Sequence, residues 1–284
     1  MTSSIEPLLR PRPDGSGYES ADDDVPRRMR GYYSFAPDPS DTFRARHAMG
    51  NGANGVWTAT RFSMPPGLSD SNPHDIFASR PIRSATGTRK RFVIRSRHVP
   101  ALSPSTTMAI FTDGACTNNG AGVGKSSSTG TPQGGCAFVL NGDAGGIIAF
   151  PLETQEPSNV GNDQTNNRAE LQAAIEALQF RSWSGEGWGR VVLITDSEYV
   201  AFGATLWLRR WAENGWRTSQ GGGVKNADLW HELSDSMGEM ANDGCEVSFW
   251  KVPRRWVAKA DMAARQAANN AGPDQHAPIY GIVL

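Results

Sequence analysis

Residues 109–120, AIFTDGACTNNG, place a short apolar run directly before an aspartate, a glycine and a polar turn. Alanine, isoleucine and phenylalanine in succession read as a buried strand, so Asp113 projects from a strand end. One aspartate in such a place is commonplace; alone it is a turn residue, a cap or a solvated group. Its meaning depends on whether other acids arrive at comparable places.

Working outward, TMAIFTD, GCAFVL and GIIAFPL are strand-like runs separated by glycine-rich turns, which predicts an antiparallel meander. NNRAELQAAIEALQF changes to helical spacing, with Leu171, Ala174, Ile175 and Leu178 on one face. RVVLITD is a β-branched buried strand. SEYVAFGATLWLRRW and NADLWHELSDSMGEMA read as helices, CEVSFWKV as a strand and AKADMAARQAANN as a last helix. The order predicts one α/β domain of roughly 180 residues with a mixed sheet.

Ahead of Thr107 the texture differs. With 18 Pro, 31 Gly and 38% hydrophobic residues in 284, part of the chain is expected to lie outside a packed core. Residues 1–100 are predicted to be a disordered or loosely structured extension and 101–284 the catalytic domain, so deleting 1–100 should leave a folded domain. The basic run GTRKRFVIRSRHV is read as a solvated linker or an added edge strand in preference to a nucleic-acid-binding arm. Net charge is −1 and identifies no partner, but residues 1–100 carry 15 Lys+Arg against 10 Asp+Glu, and the remainder 13 against 19. Nucleic-acid binding by the second part must therefore use local basic patches. Cys116, Cys136 and Cys245 form no CxxC pair and are expected to be reduced thiols. Neither a secretory leader nor a run of about 18 apolar residues is visible, which predicts an intracellular monomer, nuclear or cytoplasmic, without membrane contact.

Three further acids match Asp113 in placement. Glu170 falls in the first turn of the first helix, Asp196 ends VVLITD, and Asp261 lies near the start of the last helix. If the strands ending in Asp113 and Asp196 are neighbours, the two carboxylates lie side by side, and packed helices can add Glu170 and Asp261. Four clustered acids repel at neutral pH. Hard divalent cations remove that cost, and Mg²⁺ suits the set because it binds few carboxylates while keeping waters and phosphate oxygens.

At these strings the chain resembles the type 1 ribonuclease H family. TDGACTNNG, TNNRAELQAAIEAL, TDSEYV and ADMAARQAA are similar to its four acidic motifs, in the family's order, and WLRRWAENGWRT with VKNADLW to its substrate-facing region. The resemblance covers about residues 107–271. It implies the ribonuclease H-like fold, a five-stranded mixed sheet flanked by helices, and endonucleolytic hydrolysis of the RNA strand of RNA–DNA hybrids. It further implies two Mg²⁺ ions, with Mn²⁺ as a substitute, held by Asp113, Glu170, Asp196 and Asp261. Two ions about 4 Å apart suit in-line attack on a phosphodiester and leave 5′-phosphate and 3′-hydroxyl ends.

Substrate contacts implied by the resemblance are Asn119, Asn166 and Asn167 in the minor groove, Cys116 through its amide, and Thr165 with Arg168 at a DNA phosphate. A helix N-cap is the structural alternative for TNN. Trp207, Arg210 and Trp211, with Arg209, Trp216 and Arg217 nearby, interleave aromatic and basic residues suited to sugars and phosphates; at least one of these tryptophans is expected in the core. Two departures stand out. KVPRRWVAKAD has no histidine where many members carry one, and is similar to a Pro-Arg variant in which Arg254 takes that place, with Arg255 as fallback. Glu198 stands where the family often has Gln. The near-match NGAGVGKSSS to a phosphate loop has Asn119 in place of the first glycine and only turn-formers after it. The remaining alternatives are a transposase- or integrase-type DNA nuclease of the same fold and a non-catalytic hybrid-binding module. The NNRAEL and TDSEYV strings argue against the first, and the presence of all four acids against the second.

Overall fold

The strand read from TMAIFTD is β4 (Thr107–Thr117), buried from Thr107 to Ala115 and central to the sheet. The computed structural model describes residues 55–62, 64, 71–84, 87–94, 107–117, 132–154 and 163–281. Residues 1–54, and Asn119 with the glycine-rich stretch around it, lie outside them. β5 (Gln133–Val139) and β6 (Ile147–Pro151) continue β4 as an antiparallel meander. On the other edge of β4, β7 (Arg190–Thr195) runs parallel, and β8 (Glu246–Lys251) runs parallel to β7. These are the five expected strands in the expected mixed arrangement.

Three further strands come from the N-terminal side and correct the boundary drawn at residue 100. β1 (Thr60–Arg61) pairs parallel with β8, while β2 (Phe77–Ser84) and β3 (Gly87–Ile94) form a hairpin. β3 joins β4 through Phe92↔Ala109 and Val93↔Met108, giving an eight-stranded sheet. A single helical turn, α1 (Pro73–Ile76), precedes the hairpin. The first part of the basic run, GTRKRFVI, is thus an added strand, and its charges are engaged within the fold: Arg89 and Arg91 pair with Glu186 at 3.2 and 3.3 Å, and Lys90 with Asp143 at 2.7 Å; the rest of the run lies outside the described residues.

The alternation of β-strand side chains gives the sheet two apolar faces. On one face Met108, Ile110, Phe138, Leu193 and Phe249 meet α2 (Asn166–Gln179), α5 (Ala227–Asn242) and the helical stretch from 198 to 213. That stretch comprises α3 (Glu198–Phe202), a π-turn over Gly203–Trp207 and α4 (Leu208–Glu213). Gly203 has no alternative there, because a Cβ would lie 3.0 Å from Cζ3 of Trp230 and closer still to other atoms of that ring. On the other face Phe111, Ile194, Trp250 and Val252 are covered by α6 (Ala258–Ala267) together with Phe62, Met64, Ile76, Phe77, Phe92 and Ile94. Phe62, Met64, Ile76, Phe77, Phe92 and Ile94 are therefore core, and a domain beginning at 101 would leave this face bare.

The chain after α6 crosses back to α2, where His276 bonds the buried Glu176 at 2.5 Å and the amide of Ile279 donates to the same carboxylate at 3.0 Å. Among the described residues no helix is long and apolar enough to cross a membrane.

Candidate active site

β4 and β7 pair through Phe111↔Ile194, which brings Asp113 beside Asp196, just past the end of β7; β4 runs on to Thr117 with Asp113 opposite Ala137, so Asp113 lies within the strand and not at the strand end that the apolar run suggests. Gly114 then lets α2 rest on β4: a Cβ there would meet the backbone of Ala169 and Glu170, lying 2.7 Å from Glu170 Cα. Gly135 does the same for α6, with Ala264, Ala267 and Ala268 as the obstructing backbone. Two glycines on adjacent strands thus bring the helices carrying Glu170 and Asp261 onto the sheet. Glu170 sits one turn further along its helix than its spacing suggests, because Thr165 is the N-cap.

Asp113 is 1% exposed, and its Oδ1 accepts from the Gly114 amide at 2.8 Å. Its Oδ2 is buried with no hydrogen-bond partner among the described residues. Burial, followed by the charges of Asp196, Glu170 and Asp261, pushes the Asp113 carboxyl well above the ordinary range. Ser197 Oγ donates to Glu170 at 2.5 Å while accepting from the Val200 amide at 3.1 Å, so one hydroxyl caps α3 and fixes a carboxylate. The position of Ser197, after a strand and ahead of a helix, is the sign in the sequence of such a cap.

Arg254 lies in a short 3₁₀ turn, Arg254–Trp256, between β8 and α6. Its guanidinium bonds Asp261 and approaches Asp196 Oδ2 at 3.6 Å; Arg265 also reaches Asp261, at 3.0 Å. Burial works against the Arg254 charge, but Asp113, Asp196 and Asp261 outweigh it and raise its pKa. The structure therefore brings together all four acids and Arg254. No three acidic, His or Cys side chains among the described residues stand ready to hold a metal ion; the guanidinium bonds Asp261 and pairs with Asp196. An all-oxygen donor set with a buried, unsatisfied Asp113 Oδ2 nevertheless suits a hard divalent cation.

Other candidates separate. Thr165 is the N-cap of α2, accepting from the Arg168 amide at 3.2 Å, and Asn166 and Asn167 are half-buried beside it. The Cys116 thiol donates to the carbonyl of Gln164 at 3.1 Å, tying the end of β4 to the approach to α2. Arg168 turns inward, bonding Asp228 at 2.6 and 3.1 Å and Glu153 at 3.2 Å, and so is committed to the fold. Trp207 and Trp211 are each 1% exposed and pack with Tyr199 and Trp230, so they are core residues. Arg209, Arg210 and Arg217 remain exposed on that element, and Trp216 is half-buried against His231. Glu198 pairs with Lys251 at 2.9 Å.

A mixed sheet that gathers four acids at its centre from two neighbouring strands and two packed helices defines a phosphodiester-cleaving type of domain. Residues 105–269 match the family described as RNase H, and the chain belongs to that family. It is 38% identical over 169 residues to a ribonuclease H of Ehrlichia chaffeensis, covering 56% of this chain and 92% of that protein. It is 42% identical over 126 residues to a ribonuclease H of Anaplasma marginale, covering 44% and 68%. Among solved structures it is similar to LC9-RNase H1, a type 1 RNase H with the type 2 active-site motif, at 28% identity and a TM-score of 0.40, over 59% of this chain and 74% of that one. The protein is an enzyme of the hydrolase class, a nuclease of the ribonuclease H kind.

Proposed function

We propose that the protein hydrolyses the RNA strand of RNA–DNA hybrids with two Mg²⁺ ions, Mn²⁺ serving as substitute, and leaves 5′-phosphate and 3′-hydroxyl ends. The observation that carries the reading is Asp113, whose buried carboxylate faces three others and has an oxygen without a partner. Asp113, Glu170, Asp196 and Asp261 would hold the ions. When bound, such ions activate water and stabilise charge on the leaving oxygen.

The chain's own groups do the rest. Ser197 orients Glu170, the carboxylate that accepts from a ribose 2′-hydroxyl, the group that separates RNA from DNA. Asn166 and Asn167, at the start of the helix carrying Glu170, are the minor-groove donors and acceptors, with Asn119 and the Cys116 amide as further contacts. Arg254 exchanges its carboxylate partners for the scissile or neighbouring phosphate. As a guanidinium it holds charge and moves no proton near neutrality. Arg209, Arg210 and Arg217 meet the DNA-strand backbone electrostatically. On this reading the chain is one of the Pro-Arg variants that lack a loop histidine.

The test is cleavage of a uniformly labelled hybrid in Mg²⁺, alongside duplex DNA and duplex RNA, with end-group analysis. Only the RNA of the hybrid is cut, and Asp113→Asn abolishes turnover while leaving hybrid affinity within about threefold, because it would remove a metal ligand and no phosphate contact. Near-normal turnover by Asp113→Asn, or cleavage of duplex DNA in preference to hybrid, overturns the reading.

A further inference from the structure

We infer that residues 71–94, which precede the RNase H match, position the Arg254–Trp256 turn, with His74 and Phe92 as the positioning residues. The inference rests on Arg254 and Asp261 belonging to the reaction site proposed above. The turn has little local support. Its backbone bonds are short-range, Trp256 N to Pro253 O at 2.9 Å and Val257 N to Arg254 O at 3.0 Å. Val257, the N-cap of α6, supplies no side-chain bond to the first amides of the helix that carries Asp261. Something outside the segment must hold it.

That support comes from the N-terminal side. Ile76, Phe77, Phe92 and Ile94 share one apolar cluster with Val257 and Ala260, and Trp256 packs against it. His74 and Phe92 face Arg255, Trp256, Val257 and Lys259 around a cavity of about 70 Å³. The His74 ring stacks on Phe111 with centroids 4.8 Å apart and planes at 19°, and Phe92 meets Phe111 edge-on at 5.0 Å. Phe111 is two residues before Asp113. The same pair of rings therefore braces β4 just below one carboxylate and walls the turn that delivers Arg254 and Asp261. His74 is itself held in place: Asn72 caps α1 by accepting from the His74 amide at 2.9 Å, and Pro73 fixes the first helical position. The family match begins at residue 105, so this wall is an addition to the matched region.

Hydrogen exchange of the full-length chain tests the assignment, because the Val257 and Asp261 amides close the turn and the first turn of α6. His74→Ala and Phe92→Ala should speed exchange at both amides by about tenfold, while Ile82→Ala, which loosens packing on the opposite face of the sheet, leaves them at parental rates. Turnover on the hybrid falls in the first two variants with KM held, as expected when binding surfaces are intact and the reacting groups are misplaced. His74 is exposed, so His74→Ala answers the question even where Phe92→Ala does not fold. Parental exchange at Val257 and Asp261 in His74→Ala, or equal acceleration by Ile82→Ala, overturns the inference. A parent unable to cleave hybrid refutes the proposed function but leaves the exchange result standing.

Discussion

Gly114→Ala adds one methyl group at the contact between β4 and α2, and its effect can be worked from the geometry. The new Cβ would lie 2.7 Å from Glu170 Cα and nearer still to the Glu170 amide and the Ala169 carbonyl carbon, where ordinary contact begins at 3.4 Å. All three obstructing atoms are backbone, so no side chain can swing aside; α2 must retreat by at least about 0.7 Å. Overpacking of this kind costs about 1–3 kcal/mol. The larger consequence is catalytic, because the retreating residue is Glu170 itself. A displacement near 1 Å at a reacting group costs on the order of 100-fold in rate, so turnover should fall about 10- to 100-fold. Gly145→Ala, where a Cβ meets nothing within 4 Å, is the control and should match the parent. Steady-state cleavage of a labelled hybrid at a temperature well below both midpoints separates the catalytic loss from unfolding. Parental turnover in Gly114→Ala would refute the claim that this glycine sets the Glu170–Asp113 approach.

Arg254→Ala should lower turnover about tenfold or more through loss of a charged hydrogen bond, with no shift in the pH–rate profile, since the guanidinium does not titrate in the working range; a shifted profile counts against a purely cationic role. Deleting residues 1–100 removes Phe62, Met64, Ile76, Phe77, Phe92 and Ile94 from one core. At about 1.5–3 kcal/mol for each large side chain, the loss rivals the whole stability of a domain. The truncated chain should therefore be insoluble or unfolded by circular dichroism, and a cooperative melt would contradict this. His276 has its pKa raised because bonding to Glu176, and the charges of Glu176, Glu153 and Glu232, outweigh the opposing effect of burial. A raised folded-state value means that the contribution is complete below the unfolded pKa, about 6.5, and disappears as pH rises through the folded value. His276→Ala should thus lower Tm more at pH 6 than at pH 9; an equal loss at both pH values would show that the charge is not involved.

The four carboxylates could be read from sequence because each lies beside or early in a strongly patterned apolar segment, although Asp113 falls within β4, which runs on to Thr117, and Glu170 falls past the first turn of α2. The tryptophans misled for a physical reason. Trp207, Leu208, Trp211 and Ala212 form an apolar stripe at helical spacing, with Arg209 and Arg210 on the opposite side, and burial of the stripe wins over interleaving as a binding signal. Arg168 was unreadable as a structural residue, because its partner Asp228 is sixty positions away and on another helix. The N-terminal strands were hidden by composition. GTRKRFVI carries its apolar residues only at one end, and Pro81 falls within β2, which tolerates it as an edge strand paired only with β3; β3 is fixed in turn by Phe92↔Ala109 and Val93↔Met108.

The pairing of β1 with β8 sets a timetable for synthesis. Thr60 lies opposite Ser248, and their hydroxyls meet at 2.7 Å across a separation of 188 residues. Phe62, next to that pairing, packs on Trp250, which the ribosome delivers equally late. At roughly 5–20 residues per second, the N-terminal aromatics wait about 10–40 s for the strand that covers them. Throughout that interval Phe62, Ile76 and Phe77 are apolar side chains on a nascent chain without their C-terminal partners. Holding chaperones that bind apolar segments should therefore act on this protein before β8 emerges, and fusing β1 after β8 by circular permutation should shorten the dependence on them.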